Sequence, residues 1–147
     1  MKKLLLLAGT FMLTATLFAQ QATTQKKAED VIKFKELSHD FGKIKQGAPV
    51  TFDFAFTNTS DAPVIIESAT PSCGCTTPVK PEGAIPKGKD NKITAGFNAA
   101  TAGPFNKSIT VKVAGIDLPV QLKITGEVLS VNDYTKYEAT KTTKSGK

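Results

Sequence analysis

An alternation of apolar and polar residues, repeated along most of the chain, is the strongest constraint on its fold. In VTFDFAFTN (50–58) the valine and the three phenylalanines fall on one face of an extended chain, and the residues between them fall on the other. The same period of two runs through NKITAGFNA (91–99), KSITVKV (107–113) and IDLPVQLKITGEV (116–128). Such alternation is typical of half-buried β-strands, so the sequence predicts an all-β protein.

Two further segments predict additional strands. PVIIESA (63–69) is apolar on both faces, which we interpret as a strand covered on both sides, and VIKFKEL (31–37) is a weaker opening strand. Pro119 lies inside a strand pattern, so we expect it at an edge or a bulge. The connecting segments are rich in Gly, Pro, Asn, Asp and Ser, which favour turns. Together these features predict a single domain, an antiparallel β-sandwich.

The first residues have the pattern of a secretory signal peptide. Two lysines follow the initial methionine, and residues 4–18 form an apolar stretch of the length found in signal peptides. That stretch is too short to cross a bilayer. We expect a signal peptide over residues 1–19, cleaved after Ala19 or, as the second choice, after Ala22. No cysteine follows that could carry a lipid anchor, so we expect export to the periplasm or outside the cell.

The rest of the chain divides into three predicted parts. A polar linker (20–30) precedes the sandwich domain (31–129), and a polar tail rich in Lys and Thr (130–147) follows it, which we expect to be disordered. The 19 basic residues are all lysines, because the chain contains no arginine. Arginine is the preferred residue for bidentate contacts with phosphates and bases, so we expect no nucleic-acid partner.

The only two cysteines lie in PSCGCTTP (71–78), separated by one glycine. We interpret this stretch first as a shaped turn, in which Pro71 and Gly74 set the bend and the cysteines are structural or joined to each other. Metal binding is an alternative, because two thiolates can hold a soft ion such as Cu(I), with His39 as the one available histidine. Thiol–disulfide exchange is the other alternative, since residues two apart in a turn can form a disulfide. We expect no cofactor unless Cu(I) binds here.

No constellation of catalytic residues is recognisable elsewhere. The chain has one histidine, lacks the G-x-S-x-G motif of serine hydrolases, and has no glycine-rich phosphate-binding motif. Its 13 acidic residues are scattered, without the close pair that sugar hydrolysis needs. We therefore predict that the protein is not an enzyme.

Several motifs, in a fixed order, resemble a family of exported bacterial domains. These motifs are HDFGKIKQG (39–47), TFDFAFTNTSDAPVII (51–66), PSCGCTTP (71–78), IPKGKDNKITAGFN (85–98) and GPFNKSITV (103–111). The family is the domain-of-unknown-function family 1573, frequent in Bacteroidetes-type bacteria and similar in fold to Hydin-like (ASH-type) immunoglobulin-like domains. The resemblance implies an Ig-like sandwich of about seven strands over roughly residues 31–128, and the family brings no established catalytic activity.

The function predicted from these observations is that of an exported, non-catalytic binding or adaptor module of the bacterial cell envelope. Its partner would be a protein or an envelope glycan, held by strand addition at a sheet edge or by the loops at one end of the sandwich. The alternative function is a thiol site at Cys73 and Cys75 for Cu(I) binding or disulfide exchange.

Overall fold

The structure, a computed structural model, describes residues 25–144 and consists of two stacked β-sheets with one helix at the end of the chain. The prediction of an all-β sandwich is confirmed. The predicted signal peptide and both predicted cleavage points lie outside the described residues. The nine strands are β1 Ile32–Phe34, β2 Ser38–Lys45, β3 Val50–Asn58, β4 Val64–Pro71, β5 Thr76–Val79, β6 Ala84–Ile85, β7 Asp90–Phe97, β8 Gly103–Val113 and β9 Val120–Leu129.

The strands form a four-stranded sheet in the order β1-β3-β7-β5 and a five-stranded sheet in the order β2-β9-β8-β4-β6. The count exceeds the expected seven, and three strands, β2, β5 and β6, lie in segments for which the alternation of apolar and polar residues predicted no strand. One pairing also differs from the antiparallel expectation, since β2 runs parallel to β9. Parallel neighbours need a long connection, and here the whole of the chain from β3 to β8 separates the two strands.

The alternating apolar residues form the core between the sheets, as predicted. Phe54 and Phe56 of β3 are fully buried, and so are Ile93 of β7 and Leu122 of β9. Full burial of one such side chain stabilises the fold by roughly 1.5–3 kcal/mol. The interpretation of β4 as a strand covered on both sides is wrong, because Ile65 is 46% exposed. Each sheet packs on the core with one face only, so the other face of β4 meets solvent.

The ends of the predicted domain are more ordered than the sequence indicated. In the predicted linker, Ala28 is buried and its N–H donates to the carbonyl of Leu118 at 2.9 Å, so the domain begins before residue 31. The tail predicted as disordered forms a helix, α1, over Val131–Lys144. Ser130 caps this helix by accepting the N–H of Asp133 at 3.2 Å. The S-x-x-D spacing of Ser130 and Asp133 is a helix-start signal, and the prediction failed because composition was given more weight than that signal.

The edge strand β2 carries a bulge near its middle. Gly42 has φ 63°, its N–H donates to Oδ1 of Asp40 at 2.9 Å, and the register with β9 shifts between Asp40 and Lys43. The positive φ explains why glycine occupies this position. Pro119, which was expected at a sheet edge or a bulge, lies just before β9 begins. Between residues 25 and 144, no helix is long and apolar enough to cross a membrane.

Candidate functional site

The two cysteines lie in the loop that carries the chain from β4, in the five-stranded sheet, to β5, in the four-stranded sheet. Cys73 and Cys75 form a disulfide with their Cα atoms 5.4 Å apart, and Gly74 is at the exposed tip. The loop is fixed at both ends: Ser72 N–H donates to the carbonyl of Ser108 at 2.8 Å, and Asn98 N–H donates to the carbonyl of Cys75 at 3.1 Å. Pro71 is the last residue of β4, so the bend lies where the sequence places it.

The two sulfur atoms have different surroundings, although both cysteines are half-buried. Cys73 Sγ lies 3.7 Å from Oγ1 of Thr76, a residue that is only 2% exposed. A disulfide sulfur has no hydrogen, so the threonine hydroxyl is the donor in this contact. Cys75 packs against the edge of the hydrophobic core and faces a cleft. The disulfide therefore has Cys73 beside a buried hydroxyl and Cys75 at the wall of a cleft.

The cleft next to Cys75 has a volume of ≈460 Å³. Phe97 and Phe105 line it, with their rings stacked 4.1 Å apart. The remaining lining comes from the cysteine loop, the loop between β7 and β8, and the start of β8; its members are Gly74, Cys75, Asn98, Ala100, Thr101, Ala102, Gly103, Pro104 and Lys107.

Backbone contacts hold the wall of this cleft in place. Ala99 is fully buried with φ 51°, and its carbonyl accepts the N–H of Gly47 at 2.9 Å. The side chain of Gln46 donates to the carbonyl of Ala100 at 3.0 Å. A residue other than glycine held at positive φ is uncommon and persists only where its surroundings enforce it. The cleft is therefore a formed feature of the fold.

His39, the candidate third metal ligand, belongs to an aromatic cluster. Its ring stacks on that of Phe52, with centroids 3.6 Å apart, and meets the edge of Phe41 at 4.7 Å. Within residues 25–144, no group of three or more His, Cys, Asp or Glu side chains could hold a metal ion. The structure thus joins Cys73 to Cys75 but does not bring His39 to them.

The resolved pKa shifts lie away from the cleft. On the outer face of the four-stranded sheet, hydrogen bonds from Lys92 and Thr94 lower the pKa of Asp53. In α1, loss of solvent contact raises the pKa of Tyr134. Both side chains are on the surface of the domain, and neither lines the cleft beside Cys75.

The free edges of the sheets are the other places where this fold can bind. Three of the four edge strands are short, at two to four residues (β1, β5 and β6), whereas β2 is eight residues long. Lys123 N–H donates to the carbonyl of Leu37, and Gln46 N–H donates to the carbonyl of Leu129. Because alternate residues of a parallel strand bond to the same neighbour, Ser38 and Lys43 direct their N–H and C=O groups outward. The N–H of Lys45 also points outward, whereas its carbonyl already accepts the N–H of Ala48 at 3.1 Å.

The edge of β5 is closed to such pairing. Asn98 bonds to Cys75, so by the same alternation Thr76 and Pro78 are the residues whose backbone groups point away from β7. The N–H of Thr76 is already donated to the carbonyl of Cys73 at 3.2 Å, and Pro78 has no N–H. Proline and bound donors are ways in which proteins protect sheet edges. The edges could not be distinguished from the sequence, because its pattern does not predict β5 as a strand.

Comparison with known proteins identifies the family and the fold. The family described as "Protein of unknown function (DUF1573)" matches residues 32–128. No curated protein matches the sequence. Among solved structures, the chain is similar to a protein of unknown function from Porphyromonas gingivalis W83, with a TM-score of 0.58 and 15% identity. That match covers 76% of this chain and 51% of the other, so the chain spans about half the length of that protein.

Two further structures share the fold. The ASH / PapD-like domain 7 of human CEP192 matches with a TM-score of 0.59 and 11% identity, covering 83% of this chain and 99% of that domain. A family 123 glycoside hydrolase from Clostridium perfringens matches with a TM-score of 0.54 and 12% identity, covering 65% of this chain and 23% of the hydrolase. At these identities the likeness shows an Ig-like, PapD-like fold and nothing about activity.

Proposed function

Since the chain belongs to the DUF1573 family, whose function is unknown, we propose from its geometry that it is a non-catalytic Ig-like module that binds other proteins in the bacterial cell envelope. The observation that carries this proposal is the edge of β2, the longest edge strand of either sheet, along which the backbone groups of Ser38 and Lys43 and the N–H of Lys45 point outward. Unpaired N–H and C=O groups along an edge can accept an extended segment of another protein as an additional strand. The closed edge of β5 leaves β2 as the favoured side.

Two observations support an envelope location. Residues 1–19 have the charge and apolar pattern of a signal peptide. The Cys73–Cys75 disulfide fits a compartment in which thiols are oxidised, such as a periplasm or the cell surface. The proposed partner is therefore another exported protein that offers an extended segment. An envelope glycan is the competing partner class and has no backbone groups with which to complete a sheet.

The binding edge can be tested with a single proline. The N–H of Lys45 points away from β9, so Lys45→Pro removes an outward donor without removing a hydrogen bond to β9. The purified full-length protein, immobilised, is used to capture partners from envelope extract of its own organism. We expect the wild type to retain one or a few specific proteins, and we expect Lys45→Pro to lose them while keeping the wild-type circular dichroism spectrum.

Lys45→Thr is the matched control, because it removes the same charge but keeps the N–H and a strand-forming residue. It should retain the partner. Loss of binding in both variants would assign recognition to the lysine charge instead of the backbone edge. The proposed mode of binding would be contradicted if Lys45→Pro still captured the partner protein, or if the wild type captured only glycan.

Thiol chemistry at the disulfide is the second candidate function, and it is supported by the position of Cys75 at the wall of a cleft. Cu(I) binding would require the reduced pair, because a disulfide offers no thiolate. Mass spectrometry with and without an alkylating reagent, before and after mild reduction, measures whether the disulfide opens. Thiols that stay unreactive after reduction, together with no saturable Cu(I) binding, would eliminate this candidate.

A further inference from the structure

The disulfide is asymmetric in a way that bears on how it reacts. A thiolate opens a disulfide by attacking one sulfur in line with the S–S bond, and the other sulfur departs as a thiolate. Access decides which sulfur is attacked, and stabilisation of the departing thiolate favours the reaction. In this structure access and stabilisation are assigned to different cysteines, because Cys75 lines the cleft and Cys73 contacts the Thr76 hydroxyl.

We propose that an incoming substrate thiolate attacks Cys75 Sγ from the cleft and that Cys73 is the leaving group, held by Thr76. This inference rests on the second candidate function, disulfide exchange, and specifies which of the two sulfur atoms is attacked. The shared chemistry of the substrate is a thiol, supplied either by a small thiol compound or by a cysteine of a polypeptide. A substrate with two thiols completes the reaction.

The atoms and electrons balance as follows. The substrate sulfur bonds to Cys75 Sγ, the Cys73–Cys75 bond breaks, and its electron pair remains on Cys73 as a thiolate. The second substrate thiol, as its thiolate, then attacks the substrate sulfur of the mixed disulfide and releases Cys75. The substrate dithiol is oxidised to a disulfide, the cysteine pair is reduced to two thiols, and the two protons of the substrate pass by way of solvent to Cys73 and Cys75.

The contact with Thr76 is suited to the leaving group. Thr76 is 2% exposed, so its hydroxyl is shielded from competing water, and it already points at Cys73 Sγ at 3.7 Å. A disulfide sulfur is a weak acceptor, whereas a thiolate accepts a charge-assisted hydrogen bond. The contact therefore strengthens as charge develops on Cys73.

The cleft itself favours an anionic nucleophile. Lys107 lines it, and among the residues that the structure describes no acidic side chain does. Gly74 lies between the two cysteines, and a Cβ atom placed on it would meet nothing within 4 Å, so the approach to the disulfide is open on that side. A positive side chain at the rim attracts a thiolate over its neutral thiol.

Trapping the first adduct tests the direction of attack. The oxidised full-length protein is mixed briefly with glutathione in one arm and with a cysteine-containing peptide in the other, then quenched in acid and alkylated. Fragmentation in the mass spectrometer shows which cysteine carries the adduct. We expect the adduct on Cys75 and the alkyl group on Cys73, with at least about a tenfold preference, because Cys75 lines the cleft and the Thr76 hydroxyl favours Cys73 as the leaving thiolate.

The variant Thr76→Val tests the leaving-group contact, since it keeps the shape of the side chain and removes the donor. We expect the disulfide to open about tenfold more slowly, the order of effect expected from a lost hydrogen bond to a charged group. Thr76→Ser should restore most of the rate. Thr70→Val, at an exposed position of β4, should leave the rate unchanged.

The outcomes separate the inference from the function on which it rests. Adducts on Cys73, or equally on both cysteines, overturn the inference while the exchange function stands. A Thr76→Val rate equal to wild type overturns the role of Thr76. No adduct from either thiol source overturns both the inference and the second candidate function. If only glutathione or only the peptide forms an adduct on Cys75, the inference stands and the substrate belongs to that class of thiol.

Discussion

Replacing Gly126 by alanine should destabilise the domain strongly, because two neighbours occupy the space that a side chain would need. Gly126 lies in β9 opposite Phe105 of β8. A Cβ atom added there would lie 2.7 Å from Cζ of Phe105 and 2.8 Å from the carbonyl oxygen of Gly42. The first neighbour is a ring stacked on Phe97, and the second is backbone of the β2 bulge, so neither can move without disturbing other contacts.

The magnitude combines crowding and backbone conformation. Overpacking in a core costs about 1–3 kcal/mol, and a residue other than glycine forced into a sparsely populated conformation costs about 1–3 kcal/mol more; Gly126 has φ 155°. We therefore expect Gly126→Ala to lower the free energy of unfolding by about 2–6 kcal/mol. At roughly 4 °C per kcal/mol for a domain of this size, Tm should fall by about 8–24 °C.

Urea unfolding followed by far-ultraviolet circular dichroism measures this change, with Gly74→Ala as the matched control. A Cβ atom at Gly74 meets nothing within 4 Å, so that variant should stay within about 0.5 kcal/mol of wild type. Equal stabilities for the two variants would show that the Phe105 ring or the β2 bulge yields freely, and the account of a rigid cleft wall would fail.

Three further predictions concern single features of the fold. Asn58 is fully buried; its side chain donates to the carbonyls of Ala62 and Ile85 and accepts the N–H of Ser60. Asn58→Ala should therefore lower the free energy of unfolding, measured in urea, by about 2–4 kcal/mol. A loss below about 1 kcal/mol would contradict this structural role. The lowered pKa of Asp53 means that its contribution to stability is present above the unfolded pKa and is lost as the pH falls through the folded pKa. Asp53→Asn should therefore flatten the acid side of the stability–pH curve slightly, and an unchanged curve would contradict the assignment. Removing residues 131–147 takes away α1 and with it the exposed cation–π contact between Lys43 and the ring of Tyr137. Because such a contact contributes less than about 1 kcal/mol, the free energy of unfolding should fall by no more than that amount. A larger fall would show that the helix supports the sandwich.

The strands whose apolar residues alternate could be predicted from the sequence, because burial of one face imposes a period of two. Phe54 and Phe56 lie in the core as this pattern requires. The short strands β5 and β6 could not be predicted, because they form only by pairing with strands distant in sequence, β7 and β4. The parallel pairing of β2 with β9 depends in the same way on the arrangement of the whole chain.

Much of the candidate site also depends on tertiary contacts. The sequence singled out Cys73 and Cys75 and the turn around them, but the partner of Cys73, Thr76, was not predicted. Its role could have been found only from the geometry of the loop, since a threonine after a cysteine pair is not in itself unusual. The cleft is assembled from the Cys73–Cys75 loop and the loop between β7 and β8, which are separated by some 20 residues in the sequence.

The contact between the β2 edge and an exported partner is tested most directly by photo-crosslinking in the intact cell envelope. A photoreactive amino acid is placed at position 45, on the open edge of β2, or at position 79, at the end of the closed strand β5, where Val79 is 64% exposed. Binding at the β2 edge predicts a discrete crosslinked product of defined partner mass from position 45 and none from position 79. No product from position 45, or the same product from both positions, would contradict it.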